Sequence, residues 1–180
     1  MRAIVPHRRW PDVTSTLFAA NANVTDIHHL TPQDVPLLEA LLDTFGEAFN
    51  DRETYTARRP SAQYLRRLLD GDAFIALAAL KDGVVVGGIA AYELRKFEQE
   101  RSEIYIYDLA VADGHRRQGI ATAMIGKLQE IAAARGAWVI FVQADTAVED
   151  APAIALYTRL GVREEVLHFD IPVPGGRHAG

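Results

Sequence analysis

The chain has 180 residues, 49% of them hydrophobic and 24% charged, which suits one globular domain with a proper core rather than two. It contains no cysteine, so disulfides, thiolate zinc sites and a cysteine nucleophile are excluded. A formal charge of -5 argues against a general nucleic-acid binder, which needs a basic surface, and leaves room for a cationic partner.

Residues 1–23 show neither a helical nor a strand period and are read as an irregular N-terminal extension. Ala20-Asn21-Ala22 resembles a signal-peptidase site only superficially, because no continuous apolar stretch precedes it. The domain is expected over residues 24–172, with 173–180 as a flexible C-terminal tail. Val24 to Leu30 reads as a first strand, and Thr31 to Phe49 as a helix with Thr31 or Asp34 as N-cap. A shorter helix follows around Tyr64, Leu65, Leu68 and Leu69. "AFIALAAL" and "VVVGGIAAYEL", joined by Lys81-Asp82-Gly83, predict an antiparallel hairpin covered on both faces. The polar loop "RKFEQER" leads to "SEIYIYDLAV", a central strand. From Arg117 to Arg135 apolar residues recur at helical spacing, and Gly136 stops that helix. "AWVIFVQAD" is a strand, "APAIALYTRLG" a helix, and "VREEVLHFDI" a last strand or bent strand pair. The order β-α-α-β-β-β-α-β-α-β defines an α/β chain. No apolar run reaches the length of a membrane span, and a soluble, cytoplasmic protein is expected.

The junction "HRRQGIATA" joins a strand to a helix. A helix start presents unpaired N–H groups and a positive dipole end, so a bare Gly119 lets a phosphate approach, with Ala121 as a small wall and Arg116 or Arg117 adding charge. Equally, Gly114 and Gly119 could simply serve a tight turn with solvated arginines.

The pattern Arg116-x-x-Gly119-x-Ala121 resembles the acyl-CoA signature R/Q-x-x-G-x-G/A of the GNAT family of N-acetyltransferases. Downstream, "DAPAIALYTRLGV" resembles that family's N-x-x-A-x-x-L-Y-x-x-x-G-F, with Asp150 in place of Asn and Val162 in place of Phe. "KFEQ", "RSEIYIYDLAV", "VQAD" and "REEVLHFDI" are similar to the aminoglycoside 3-N-acetyltransferases of the gentamicin-acetylating type. The resemblance covers Val24 to Ile171. It implies a mixed, mostly antiparallel sheet flanked by helices, acetyl-CoA as co-substrate, an aminoglycoside amine as acceptor, antibiotic resistance as the outcome, and a homodimer.

It also implies where acetyl-CoA lies. The backbone of Arg117, Gln118, Gly119, Ile120, Ala121 and Thr122 would cradle the pyrophosphate, with Arg116 also at the cofactor. Leu109, Ala110 and Val111 would meet pantetheine by main chain where their strand splays from its neighbour. Asp150 and Ala153 would stand on the second motif.

The chemistry needs a base, because an aliphatic amine is largely protonated at neutral pH. Asp108 interrupts an otherwise apolar or aromatic strand, where an unpaired carboxylate is costly. It is read as base or ammonium anchor, against a structural role bonded to a neighbouring element. Alternation from Ser102 places Glu103 and Tyr105 on one face and Asp108 on the other with Ile104 and Ile106, unless a bulge near Ala110 changes that. Tyr157 can protonate the departing thiolate, or can simply pack its ring. Glu103, Asp145 and Asp170 are further acceptor-binding candidates within an acidic C-terminal half, although Asp145 and Asp170 have structural readings of equal weight. His28, His29 and His115 lack metal-ligand spacing, and no metal is expected. The competing functions are acetylation of another polyamine or a protein amine, and a non-catalytic acyl-CoA-binding domain. The latter would need neither Asp108 nor Tyr157.

Overall fold

The computed structural model describes residues 26–174; the expected N-terminal extension and most of the expected C-terminal tail lie outside them. Strands β1 (Asp26–His29), β2 (Phe74–Lys81), β3 (Val84–Arg95), β4 (Ser102–Val111) and β5 (Ala137–Val142) form one sheet in that order. Every neighbouring pair is antiparallel except β4 and β5, which run parallel. Helices α1 (Val35–Ala48), α2 (Arg52–Tyr55), α3 (Ala62–Leu69), α4 (Ile120–Ala134) and α5 (Ala151–Leu160) flank this mixed sheet.

The uninterrupted apolar sequence of β2 requires cover on both faces, and both are covered. On one face Ile75, Leu77 and Ile104 pack with Met124 and Leu128 of α4. On the other, Ala76, Ala78 and Ala110 pack with Leu41 and Phe45 of α1. Asp34 occupies the N-cap position of α1 but makes no cap bond. Its carboxylate instead accepts from the N and Oγ1 of Thr31, at 2.8 and 2.7 Å, closing the turn before the helix. Gly136, at φ 71°, follows α4 in the left-handed conformation expected of a helix stop.

Two features of β4 shape the surface at its C-terminal end. Its parallel pairing with β5 runs from Ser102 opposite Ala137 to Ile106 opposite Val142 and ends there, while its pairing with β3 continues to Val111 opposite Gly87. The last five residues of β4, Tyr107 to Val111, therefore have a strand neighbour on one side only. The second feature is a bulge. Ala91 faces Ile106 and Ala90 faces Asp108, leaving Tyr107 as the extra residue.

This bulge corrects the alternation argument. Ile104 and Ile106 point to the α4 face, but Ala110 packs on the α1 face. Asp108, opposite Ala90 in that register, joins Tyr105 and Tyr107 on the α1 side. The break falls at Tyr107, upstream of Ala110.

Two other expectations are corrected. The one-turn helix α2 is additional to the expected order, since four residues are too few to show a helical period. The expected last strand over "VREEVLHFDI" is not formed; residues 162–173 have no regular structure. Leu167 (82% exposed), Phe169 (76%) and Ile171 (85%) still alternate as a strand would. Three consecutive charges, Arg163 to Glu165, interrupt the pattern ahead of them, and strand propensity is realised only against a partner edge.

Candidate active site

The strand-to-helix junction leaves a row of backbone donors without backbone partners among the described residues. After β4 a single 3-10 turn, Asp113–His115, leads to the segment that opens α4. Arg117 at φ 63° and Gly119 at φ 82° are both left-handed, and an arginine rarely adopts that conformation without external constraint. The first backbone bond of α4 runs from the N–H of Ala123 to the carbonyl of Gly119 at 2.9 Å. Among the described residues, the N–H groups of Arg117 to Thr122 donate to no backbone acceptor. A Cβ added at Gly119 would meet nothing within 4 Å, so the turn is open on that side. Such a row of free donors at a helix start suits a pyrophosphate.

The two arginines divide their work. Arg116 donates from Nε to the carbonyl of Val111 at 3.1 Å and pairs with Asp113 at 2.8 Å, which ties the turn to the end of β4. Arg117 is exposed and forms no ion pair among the described residues, so its charge is available to an anion. Gln118 donates from Nε2 to the carbonyl of Gly114 at 3.3 Å. Leu109, Ala110 and Val111 lie in the one-sided part of β4.

Asp108 lies one residue upstream, on the α1 face. Its Oδ1 accepts a 2.7 Å hydrogen bond from the hydroxyl of Tyr55, on α2. Among the described residues no ion pair reaches it and its Oδ2 accepts no hydrogen bond. Burial pushes its pKa above the ordinary carboxylate value, and the Tyr55 hydrogen bond opposes that shift only in part. Beside it runs a chain of rings. Tyr92 meets Tyr107 edge-on at 6.0 Å, Tyr107 meets Tyr105 at 5.8 Å, and Tyr105 stacks on Phe141 at 4.9 Å. Tyr107, at the bulge, is 63% exposed.

The other acidic candidates are distributed differently. Glu103 is paired with Lys96 at 3.5 Å and stands five residues from Asp108 along β4, about 16 Å at strand rise. Asp145 and Asp150 serve the loop after β5: Asp150 Oδ2 accepts from the Asp145 N–H at 2.9 Å, and Asp145 Oδ1 accepts from the Ala147 N–H at 3.3 Å. Asp170 is exposed but connected. Tyr105 donates its hydroxyl to Gln143 Oε1 at 2.9 Å, Gln143 Nε2 lies 3.1 Å from His168 Nδ1, and His168 Nε2 lies 2.9 Å from Asp170 Oδ1.

Tyr157, on α5, packs against the core on the α4 face, together with Leu156 and Leu160. Burial first, and the charge of Asp150 second, push its phenol pKa up, so it carries its proton at neutral pH. Ala153 lies one turn before it on the same helix. Sequence reasoning missed Tyr55. Nothing around "RETY" marks it as a partner of a residue 53 positions away; Asp51, which accepts from the Thr54 N–H at 3.0 Å and so caps α2, is the only local signal. Among the described residues no cluster of His, Asp or Glu could hold a metal ion, and no helix is long and apolar enough to cross a membrane.

A mixed sheet in which β4 runs on beyond the end of β5, with a helix start rich in free donors beside it, is the frame expected of an acyl-CoA-dependent N-acyltransferase. The sequence profile of the acetyltransferase (GNAT) family matches residues 36–162, and the chain belongs to that family. It is an acetyltransferase of the GNAT type, and such enzymes use acetyl-CoA. No curated protein matches the chain. Among solved structures it is similar to the aminoglycoside acetyltransferase HMB0005 from an uncultured soil metagenomic sample, at 73% identity over 83% of this chain and 99% of that one, with a TM-score of 0.82. It is also similar to the aminoglycoside acetyltransferase meta-AAC0020 from an uncultured soil metagenomic sample, in complex with sisomicin, at 30% identity over 82% and 95% of the two chains, TM-score 0.73. A ribosomal-protein-alanine N-acetyltransferase from Brucella melitensis biovar Abortus 2308 is similar at 26% identity over 83% and 99%, TM-score 0.65.

Proposed function

We propose that the chain acetylates an amine of gentamicin-type aminoglycosides, the 3-amino group, from acetyl-CoA, and so confers resistance. The observation that carries this reading is Asp108, a carboxylate that among the described residues has no cation and no donor to Oδ2, next to the one-sided end of β4. An ammonium is the partner it lacks. The exposed ring of Tyr107 beside it suits the apolar face of an amino sugar and attracts a further ammonium by cation–π contact. Similarity to two aminoglycoside acetyltransferases supports the same acceptor class.

In this reading the N–H groups of Arg117 to Thr122 hold the pyrophosphate, with Arg117 adding charge, and the main chain of Leu109 to Val111 holds the pantetheine arm. Bound acetyl-CoA supplies a thioester carbonyl. Asp108 Oδ2 draws in the acceptor ammonium and takes its proton; the freed nitrogen bonds to the acetyl carbon, and the carbon–sulfur bond breaks. Tyr157 gives its hydroxyl proton to the departing sulfur and is restored by the second proton that the acylated nitrogen loses, while Asp108 releases its own to solvent. A raised phenol pKa suits a proton donor that must stay protonated until charge develops beside it. Asp170, at the end of the Tyr105–Gln143–His168 relay, adds negative charge toward the outer part of a polycation.

The protein works in the cytoplasm, where acetyl-CoA is at hand, and as a homodimer. The outer edge of β5, which pairs with no strand among the described residues, and the exposed run Leu167, Phe169 and Ile171 support a second copy as partner. Incubation with acetyl-CoA and gentamicin or sisomicin, followed by NMR of the product, tests the regiochemistry. Acetyl on the 3-amino nitrogen is the expected result, and acetyl on another nitrogen would overturn the 3-N assignment.

A further inference from the structure

We infer that Tyr55 is a positioning residue for acyl transfer, and that the one-turn helix α2 serves to present it: its hydroxyl fixes Oδ1 of Asp108 and leaves Oδ2 to the acceptor amine. This inference rests on the reading of Asp108 as the base. The 2.7 Å bond joins residues 53 positions apart and is the protein's single hydrogen bond to the Asp108 carboxyl among the described residues. Without it the side chain of Asp108 would be free to rotate about its Cα–Cβ bond, and the base would spend less time aimed at the nitrogen.

The surroundings of Tyr55 are arranged around that contact. Its ring lies edge-on to Phe45 at 5.8 Å and tilted on Phe49 at 5.6 Å, so packing limits where the hydroxyl can go. Asp51 caps α2, and the N–H of Asp51 donates to the carbonyl of Gly46 at 3.0 Å. Gly46 permits this close approach: a Cβ there would meet Thr56 Cγ2 at 3.2 Å and Tyr55 Cβ at 3.4 Å. A four-residue helix with no buried residue adds little to the core, yet cap, glycine and aromatic packing all locate one phenol.

The bond also sets the charge of the base. Donation to a carboxylate favours its ionised form, whereas burial opposes it. The ionisable groups around this face are Tyr92 on β3, Tyr105 and Tyr107 on β4, Tyr64 on α3, Asp51 at the start of α2, and the exposed Asp43 and Glu47 of α1, which pair with Arg59 and Arg52. None of them donates to Asp108, and no cation among the described residues pairs with it. Tyr55 is therefore the group that counters desolvation.

The test is the Asp108 carboxyl titration, read by carbon NMR in the apo protein, together with the pH profile of kcat/KM. Tyr55→Phe should raise the Asp108 midpoint and move the acidic limb of kcat/KM with it, leaving the KM for acetyl-CoA unchanged. Fluorination of Tyr55 ortho to its hydroxyl strengthens the donor while keeping the ring, and should shift both in the opposite direction; this variant keeps the test open if Tyr55→Phe folds poorly. An Asp108 midpoint that moves in neither protein overturns the inference. A midpoint that moves while the acidic limb stays in place upholds the hold of Tyr55 on Asp108 and rejects Asp108 as the base.

Discussion

Asp108 carries two opposed demands, and they can be separated by substitution. A carboxyl whose folded pKa lies above its unfolded value, ordinarily 3.8, binds protons more tightly in the native state. Its contribution to stability is therefore full below pH 3.8 and is lost as the pH rises through the folded pKa, so at neutral pH the ionised group costs stability. Asp108→Asn keeps an acceptor for Tyr55 and removes that cost. Its melting temperature at pH 7 should equal or exceed the native value by about 1–3 °C, with the gap closing below pH 3.8 in thermal scans across pH. A purely structural aspartate would show the reverse, a lower melting temperature at pH 7. At Tyr157 the phenol and the ring separate in the same way. Tyr157→Phe keeps the packing against Leu156 and Leu160, so stability should hold while kcat falls roughly ten- to a thousandfold. Undiminished kcat in steady-state assays would leave Tyr157 with a packing role only.

At the scale of elements, the opening of α4 makes the sharpest claim. Gly119 combines a left-handed φ with open space where a Cβ would point. Gly119→Val should therefore cost about 1–2 kcal/mol in backbone strain and weaken acetyl-CoA binding at least tenfold by calorimetry, because the side chain enters the phosphate cradle. Unchanged affinity in the folded variant would place the pyrophosphate elsewhere.

Much of this architecture is legible in the chain. The hairpin of β2 and β3 and the helix α4 announce themselves by burial on two faces and by helical period, and "RRQGIA" marks the left-handed turn that opens α4, because glycine placement is local chemistry. Asp108 is legible as an oddity in an apolar strand, but its orientation is not. The bulge at Tyr107 depends on how β3 and β4 settle against α1, and no residue type encodes it. Tyr55 is invisible for a related reason, since its meaning lies in a contact across the fold. The C-terminal alternation states a readiness to pair without naming the partner, and in this structure that strand stays unformed.

Across the whole molecule, the net charge of -5 and an Asp108 that pairs with no cation among the described residues favour a polycationic acceptor. Raising ionic strength should raise the KM for an aminoglycoside, because screening shortens the reach of that attraction to about 10 Å at 0.1 M salt, while kcat should change little. A KM insensitive to salt would indicate that shape and ring contacts, with little help from charge, hold the acceptor.

The most direct measurement tracks thiol release from acetyl-CoA by the native protein and by Asp108→Asn, each supplied with sisomicin, spermidine or a basic peptide at saturating acetyl-CoA. Fast release with sisomicin by the native protein, much slower release with spermidine and the peptide, and a loss of at least a hundredfold in Asp108→Asn is the predicted result. Release that favours the peptide or spermidine, or that survives intact in Asp108→Asn, would contradict an aminoglycoside acetyltransferase built around Asp108.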